Sequence, residues 1–133
     1  MRDITRGALL AIALLFATAP CIGQEESKSH AAPPVKTTFL VIYKPGPAWV
    51  AGRPLREQPL QEHGRYILSL YAKGSLRFGG PFADDSGGAA AFEAADQEEA
   101  KAIVAADPAV TSQVFVAELH PWALISWKSL LKK

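Results

Sequence analysis

The segment Thr37 to Lys44, TTFLVIYK, constrains the fold more than any other part of the chain. It is β-branched and aromatic and stops at Pro45-Gly46-Pro47, so it is predicted to be a strand. Both of its faces are apolar, with Phe39, Val41 and Tyr43 alternating with Leu40 and Ile42. A strand of this kind is covered on both sides, so the domain must place something on each face of its sheet.

The segments that follow supply part of that cover. Glu57 to Lys73 has helical spacing, with Leu60, His63, Ile67, Leu70 and Tyr71 on one stripe and Gly74 as its stop. Ser75 to Gly79 alternates as a second strand and runs into Gly80-Pro81-Phe82 and the acidic turn Asp84-Asp85-Ser86-Gly87-Gly88. Ala89 to Ala94 is predicted as a third strand of small residues. Asp96 to Glu99 opens a second helix with a capping-box pattern, its stripe being Ala100, Ile103 and Val104. Asp107-Pro108 is expected to end that helix, and Val114 to Leu119 reads as the fourth strand. The order β-α-β-β-α-β predicts an α+β, ferredoxin-like domain, a four-stranded antiparallel sheet with two helices on one face. Side chains alternate along strands, so Phe39 or Leu40, Phe78, Phe92 and Phe115 cannot all face the helices. The face opposite the helices is then bare, and a homodimer through it is expected.

The N-terminus reads as an address. Arg2 and Arg6 precede an almost unbroken apolar run from Gly7 to Ala19, shorter than the roughly 20 residues of a membrane-spanning helix. Residues 1–23 are expected to be a secretory leader, cut near Gly23. Pro20 disfavours a cut after Ala19 and a lipid anchor on Cys21. Residues 24–36 read as a flexible linker, 37–122 as the folded domain and 123–133 as a tail. The protein is expected to be secreted or periplasmic. The leader carries the only cysteine, two of the 14 basic residues and one of the 13 acidic ones. The mature chain of about 110 residues is then formally neutral and held by packing alone. Without a basic run, nucleic acid is not an expected partner, nor is a membrane after the leader is removed. The tail from Trp122 is expected to add an edge strand or short helix, with membrane association as its other reading.

Candidate chemistry is sparse. His63 falls on the buried stripe of the first helix, where an imidazole must be neutral or partnered. A carboxylate from another element is the usual partner, and Asp107 is the candidate. Set at a helix C-terminus, Asp107 would face the negative end of the helix dipole, which a nearby imidazolium would offset. As a pair they could act as general acid or base; a core histidine and a helix-ending Asp-Pro turn are the structural alternatives. Tyr43 and Trp49 border the loop after the first strand and could stack on a flat ligand. Gly80 and Pro81 are candidate substrate contacts, although Pro81 offers no N–H and the run also reads as a turn. Asp84 and Asp85 suit a hairpin tip better than calcium, which needs six or more oxygens. His30, His63 and His120 share no metal-ligand spacing, and nothing favours haem on His120, so no metal or cofactor is expected.

Several fragments gain meaning when read in order. They are Glu62-His63-Gly64-Arg65-Tyr66, Lys73-Gly74-Ser75-Leu76, Gly79-Gly80-Pro81-Phe82 and Asp84-Asp85-Ser86-Gly87-Gly88. Downstream come Glu98-Glu99-Ala100, Ala106-Asp107-Pro108 and Glu118-Leu119-His120-Pro121-Trp122. Together they make the chain resemble the YciI-like, or YCII-related, domain family. The resemblance implies a dimeric α+β barrel and a His–Asp site, carried over as His63 and Asp107. One branch of that family resembles a dehydrochlorinase of chlorinated hydroxyhydroquinones, and the wider superfamily includes lactone isomerases, haem enzymes and monooxygenases. The leader and the Trp-rich tail depart from the family pattern. Two functions stay open: a lyase- or isomerase-like enzyme on a compact substrate, and a non-catalytic dimeric module that binds or senses a small molecule. A purely structural dimer with a filled interior is the third reading.

Overall fold

The computed structural model describes residues 35–132. The expected leader, and the expected linker up to residue 34, lie outside the described residues. The chain forms strand β1 (Thr37–Pro45), helix α1 (Gln61–Ala72), strands β2 (Leu76–Pro81) and β3 (Gly88–Ala94), and helices α2 (Gln97–Ala105) and α3 (Pro108–Thr111). Strand β4 (Phe115–Pro121) and a last turn of helix, α4 (Trp127–Leu130), follow. The strands pair antiparallel in the order β2-β3-β1-β4, so the expected α+β, ferredoxin-like sheet is what the chain forms.

β1 is an inner strand, paired with β3 on one edge and β4 on the other. Phe39, Val41 and Tyr43 sit opposite Phe92, Ala90 and Gly88 of β3, and on the other flank opposite Pro121, Leu119 and Ala117 of β4. This face carries the core, with Phe39, Val41, Tyr43, Phe92 and Phe115 buried against Ala100 of α2 and Ala109 of α3. Fully burying a side chain of this size contributes about 1.5–3 kcal/mol, and Phe39 and Phe92 also stack with ring centres 6.1 Å apart. By alternation Leu40, Ile42, Phe78 and Ala91 lie on the other face. That face is partly covered: the Phe78 and Trp122 rings meet edge-on at 6.1 Å and Ala91 is fully buried, while Phe78 and Val116 stay largely exposed.

Three places differ from the sequence expectation. The first helix starts at Gln61 rather than Glu57, because Pro59 holds Gln58 extended (ψ 154°) and leaves Leu55–Glu57 as a separate 3-10 turn. Its stripe is turned toward Tyr66, whose hydroxyl donates to the Ile103 carbonyl at 2.7 Å, leaving Tyr71 exposed. The helix ends as expected at Gly74, whose φ of +76° lets Ser75 N–H close a 3.0 Å bond to the Leu70 carbonyl. The second helix ends at Ala105 with Ala106 as its C-cap, so Asp107-Pro108 closes it as expected, but Pro108 then starts the short helix α3, which the sequence did not show. Lastly, Gly79-Gly80-Pro81 is the end of β2 rather than a turn. Phe82 N–H donates to the Gly87 carbonyl at 2.8 Å, so the neighbouring Pro81 occupies the outward position of an edge strand, where no donor is needed.

The glycines of the β2–β3 hairpin are not equivalent. A Cβ on Gly87 would sit 2.0 Å from the Tyr43 carbonyl oxygen, and its φ is +135°, whereas a Cβ on Gly80 would meet no atom within 4 Å. Gly87→Ala is therefore expected to cost about 3 kcal/mol or more, and Gly80→Ala less than about 0.5 kcal/mol, in urea unfolding followed by circular dichroism. Similar losses in the two variants would contradict this close approach of backbone to backbone.

Candidate functional site

The centre of the site is a contact between two elements far apart in sequence. α1 presents His63 on its inward stripe, and its Nδ1 lies 2.9 Å from both carboxylate oxygens of Asp107. Asp107 is completely buried. It precedes Pro108, takes an extended conformation (φ −67°, ψ 123°) and serves as N-cap of α3, its Oδ1 accepting Ala109 N–H at 2.9 Å. Asp107 follows the C-terminus of α2 as expected, but its carboxylate also faces the positive end of α3, which offsets the unfavourable end of α2 and gives the buried charge a second partner.

With Nδ1–H donated to Asp107, the remaining ring nitrogen is the one available for chemistry. Among the described residues nothing hydrogen-bonds His63 Nε2. None of their buried side-chain nitrogens or oxygens lacks a partner, so Nε2 must be open to solvent. Aromatic edges hold the ring plane: Tyr43 lies at 5.1 Å and 80°, and Phe115 at 5.4 Å and 76°. Burial first, and then the adjacent Asp107 carboxylate, push the Tyr43 phenol far above its usual range, so Tyr43 is a neutral phenol beside the pair. Burial and the same carboxylate raise Tyr66 as well.

A hollow of about 240 Å³ opens beside His63. Its walls are the apolar flank of α1 (Leu60, His63, Ile67), Tyr43 and Phe115 of the sheet, and the hairpin residues Gly79, Gly80, Pro81, Gly87, Gly88, Ala89 and Ala90. The small hairpin residues are the reason the space exists, since no side chain there reaches toward α1. Of the residues expected to form a site, His63, Tyr43, Gly80 and Pro81 all line this hollow, while Asp107 stands behind His63. Trp49 packs on Phe115 at 5.8 Å instead of lining it. Asp84 accepts the N–H and hydroxyl of Ser86 at the hairpin tip, and His120 is on β4, away from His63.

Gln58 was not singled out by the sequence, yet it shapes the rim. It is almost fully buried; its amide accepts Val50 N–H at 2.8 Å and donates to the carbonyls of Val50 and Arg53 at 2.9 and 3.0 Å. These bonds fold the loop that sets Leu55 against the hollow, and Leu55 N–H is held in turn by Asp85 Oδ1 at 3.2 Å. Its partners are backbone groups, which leave no mark in a sequence.

Because His63 and Asp107 share one buried contact, their effects on stability should couple. Asp107→Ala is expected to cost about 2–4 kcal/mol, combining a lost cap of about 1 kcal/mol with a lost bond to a charged acceptor. A cycle of His63→Ala, Asp107→Ala and the double variant in urea should give a coupling of about 1–2 kcal/mol. Strictly additive losses would show that the two side chains do not depend on each other.

With this geometry in hand, known proteins supply the family. No curated protein matches the chain. Among solved structures it is similar to 5-chloro-2-hydroxyhydroquinone dehydrochlorinase from Burkholderia phenoliruptrix AC1100, determined with 2,5-dihydroxybenzoquinone, at 22% identity and a TM-score of 0.49. That likeness covers 65% of this chain and 93% of the other. The family model of the YCII-related domain matches residues 37–123, the sheet and every helix packed on it, and the chain belongs to the YCII-related domain family.

Proposed function

We propose that this protein is an exported small-molecule lyase or isomerase in which His63 moves the proton and Asp107 orients it. The observation that carries this reading is the polarity of the imidazole. Nδ1 is tied to a buried carboxylate, and His63 lines an apolar hollow with no described residue bonded to its Nε2. A fixed Nδ1–H tautomer makes Nε2 a lone-pair acceptor aimed at whatever enters. The hollow is smaller than the roughly 300–1,000 Å³ of drug-sized pockets, so it suits a compact, single-ring or lactone-sized compound.

In the proposed reaction Nε2 takes a proton from an acidic C–H of the substrate, and the bonding pair moves into the adjacent carbonyl to form an enolate. Asp107 compensates the charge of the imidazolium. The enolate then either recovers the proton at a neighbouring carbon, which is an isomerisation, or expels a leaving group from the next carbon and forms a double bond. Tyr43, kept as a phenol, and the backbone at Gly80 and Pro81 would bound the substrate. Export is supported by the charged start and apolar run of residues 1–23. A homodimer through the open sheet face is supported by Ile42 on that face and by the exposure of Phe78 and Val116 there. One observation favours a non-catalytic binding module instead: the hollow presents no cationic side chain to an enolate oxygen, and Pro81 no N–H.

The test uses the proton itself. A panel of small hydroxylated aromatic compounds and lactones, incubated in D2O with the protein, should include members that exchange C–H for C–D by NMR. His63→Gln should slow that exchange by about 100-fold or more, the usual size of a general-base contribution, without changing the oligomeric state. Undiminished exchange with His63→Gln would end the catalytic reading, and binding without exchange by the wild-type protein would favour the module.

A further inference from the structure

At the end of the stretch that the family model matches, the chain runs into a tail unlike the rest of the molecule. Trp122–Lys133, WALISWKSLLKK, holds two of the chain's three tryptophans and three lysines, with no aspartate or glutamate after Glu118. The tail leaves β4 with Trp122 N–H bonded to the Thr38 carbonyl at 2.8 Å, runs without regular structure to Ser126, and closes in the single turn α4. Its apolar side chains are not folded onto the domain. Leu124, Ile125, Trp127, Leu130 and Leu131 are between 56% and 85% exposed. Among the described residues, Trp122 meets the domain edge-on at Phe78.

We infer that this tail is an interfacial anchor that docks the protein on an anionic lipid surface. Exposed leucines, an isoleucine and a tryptophan beside lysines are the composition that lies in the boundary between headgroups and acyl chains. There the apolar side chains leave water while the ammonium groups stay with lipid phosphates. Among the described residues no helix is long and apolar enough to cross a membrane, so the attachment is to a surface. Charge selects lipid over a second copy of this chain as the occupant. The open sheet face offers Glu93 and Glu118, but Arg77 already pairs with Glu93 and Lys44 with Glu118, so among the described residues that face has no carboxylate left unpaired for the tail's lysines. The tail's lipid contact takes up the other reading that the sequence offered for it, against the expectation of no membrane partner for the mature chain. It does not rest on the His63 site.

The experiment uses protein purified after its natural processing, mixed with vesicles of phosphatidylcholine alone or with phosphatidylglycerol. Binding is read by sedimentation, and tail insertion by quenching of tryptophan emission with brominated lipid. Wild-type protein should bind only the anionic vesicles and be quenched. The triple variant Lys128→Glu, Lys132→Glu, Lys133→Glu should bind about a hundredfold more weakly or worse, and added salt should release the wild type. Trp127→Ser should lose most of the quenching while the wild-type oligomeric state persists in sedimentation velocity. Absence of quenching in the wild type, or equal binding by the triple variant, would overturn the inference. So would a fall in oligomeric state with Trp127→Ser, which would make the tail a contact between copies.

Discussion

The structure depends on one hydrogen-bonded contact, between His63 Nδ1 of α1 and the buried carboxylate of Asp107. Asp107 is fully enclosed and would be costly to ionise there if it were alone. It is not alone, because the same side chain that receives the imidazole also caps α3 through Ala109 N–H. The break between α2 and α3 exists at this residue: Pro108 forces Asp107 into extended backbone, and that bend turns the carboxylate toward α1. One Asp-Pro pair thereby ends one helix, starts the next and gives His63 its orientation.

The second requirement is empty space next to that ring. At the far end of the sheet Phe39 and Phe92 fill the gap beneath the helices. At the near end the β2–β3 hairpin is built from Gly79, Gly80, Gly87, Gly88, Ala89 and Ala90, and nothing fills it. The same small residues let two strands and the end of β1 approach closely, since a side chain on Gly87 would strike the Tyr43 backbone. Tight backbone packing and an open hollow have a single cause. The rim is then closed from the other side by the loop after β1, whose Trp49 and Leu55 pack against the core and which is held by the buried Gln58 amide and by Asp85.

Much of this was legible in the sequence. The two apolar faces of Thr37–Lys44, the helical stripe through His63 and the capping pattern at Asp96 gave the element order, and Glu99 N–H does meet Asp96 Oδ1 at 2.8 Å. Pairing His63 with Asp107 came from burial logic and from the family resemblance, and the contact is present. What escaped the sequence was decided by backbone and tertiary context. The role of Asp107 as an N-cap depended on a four-residue helix too short to show periodicity. Gly79 to Pro81 carry the signature of a turn, and only the edge position of β2 makes them a strand end. Gln58 acts through carbonyls and an N–H that no residue pattern encodes, and the aromatic cover on the second face needed Trp122 to reach Phe78.

The central claim is that Asp107 fixes the His63 ring so that Nε2 is a bare acceptor at the hollow. Long-range nitrogen–proton NMR of the imidazole side chains, on uniformly labelled protein at a pH where His63 is neutral, reads the tautomer directly. The expected result is a protonated Nδ1 and an unprotonated Nε2 for His63, lost in Asp107→Ala. A protonated Nε2 in the wild-type protein, or the averaged tautomers of a free imidazole, would contradict it.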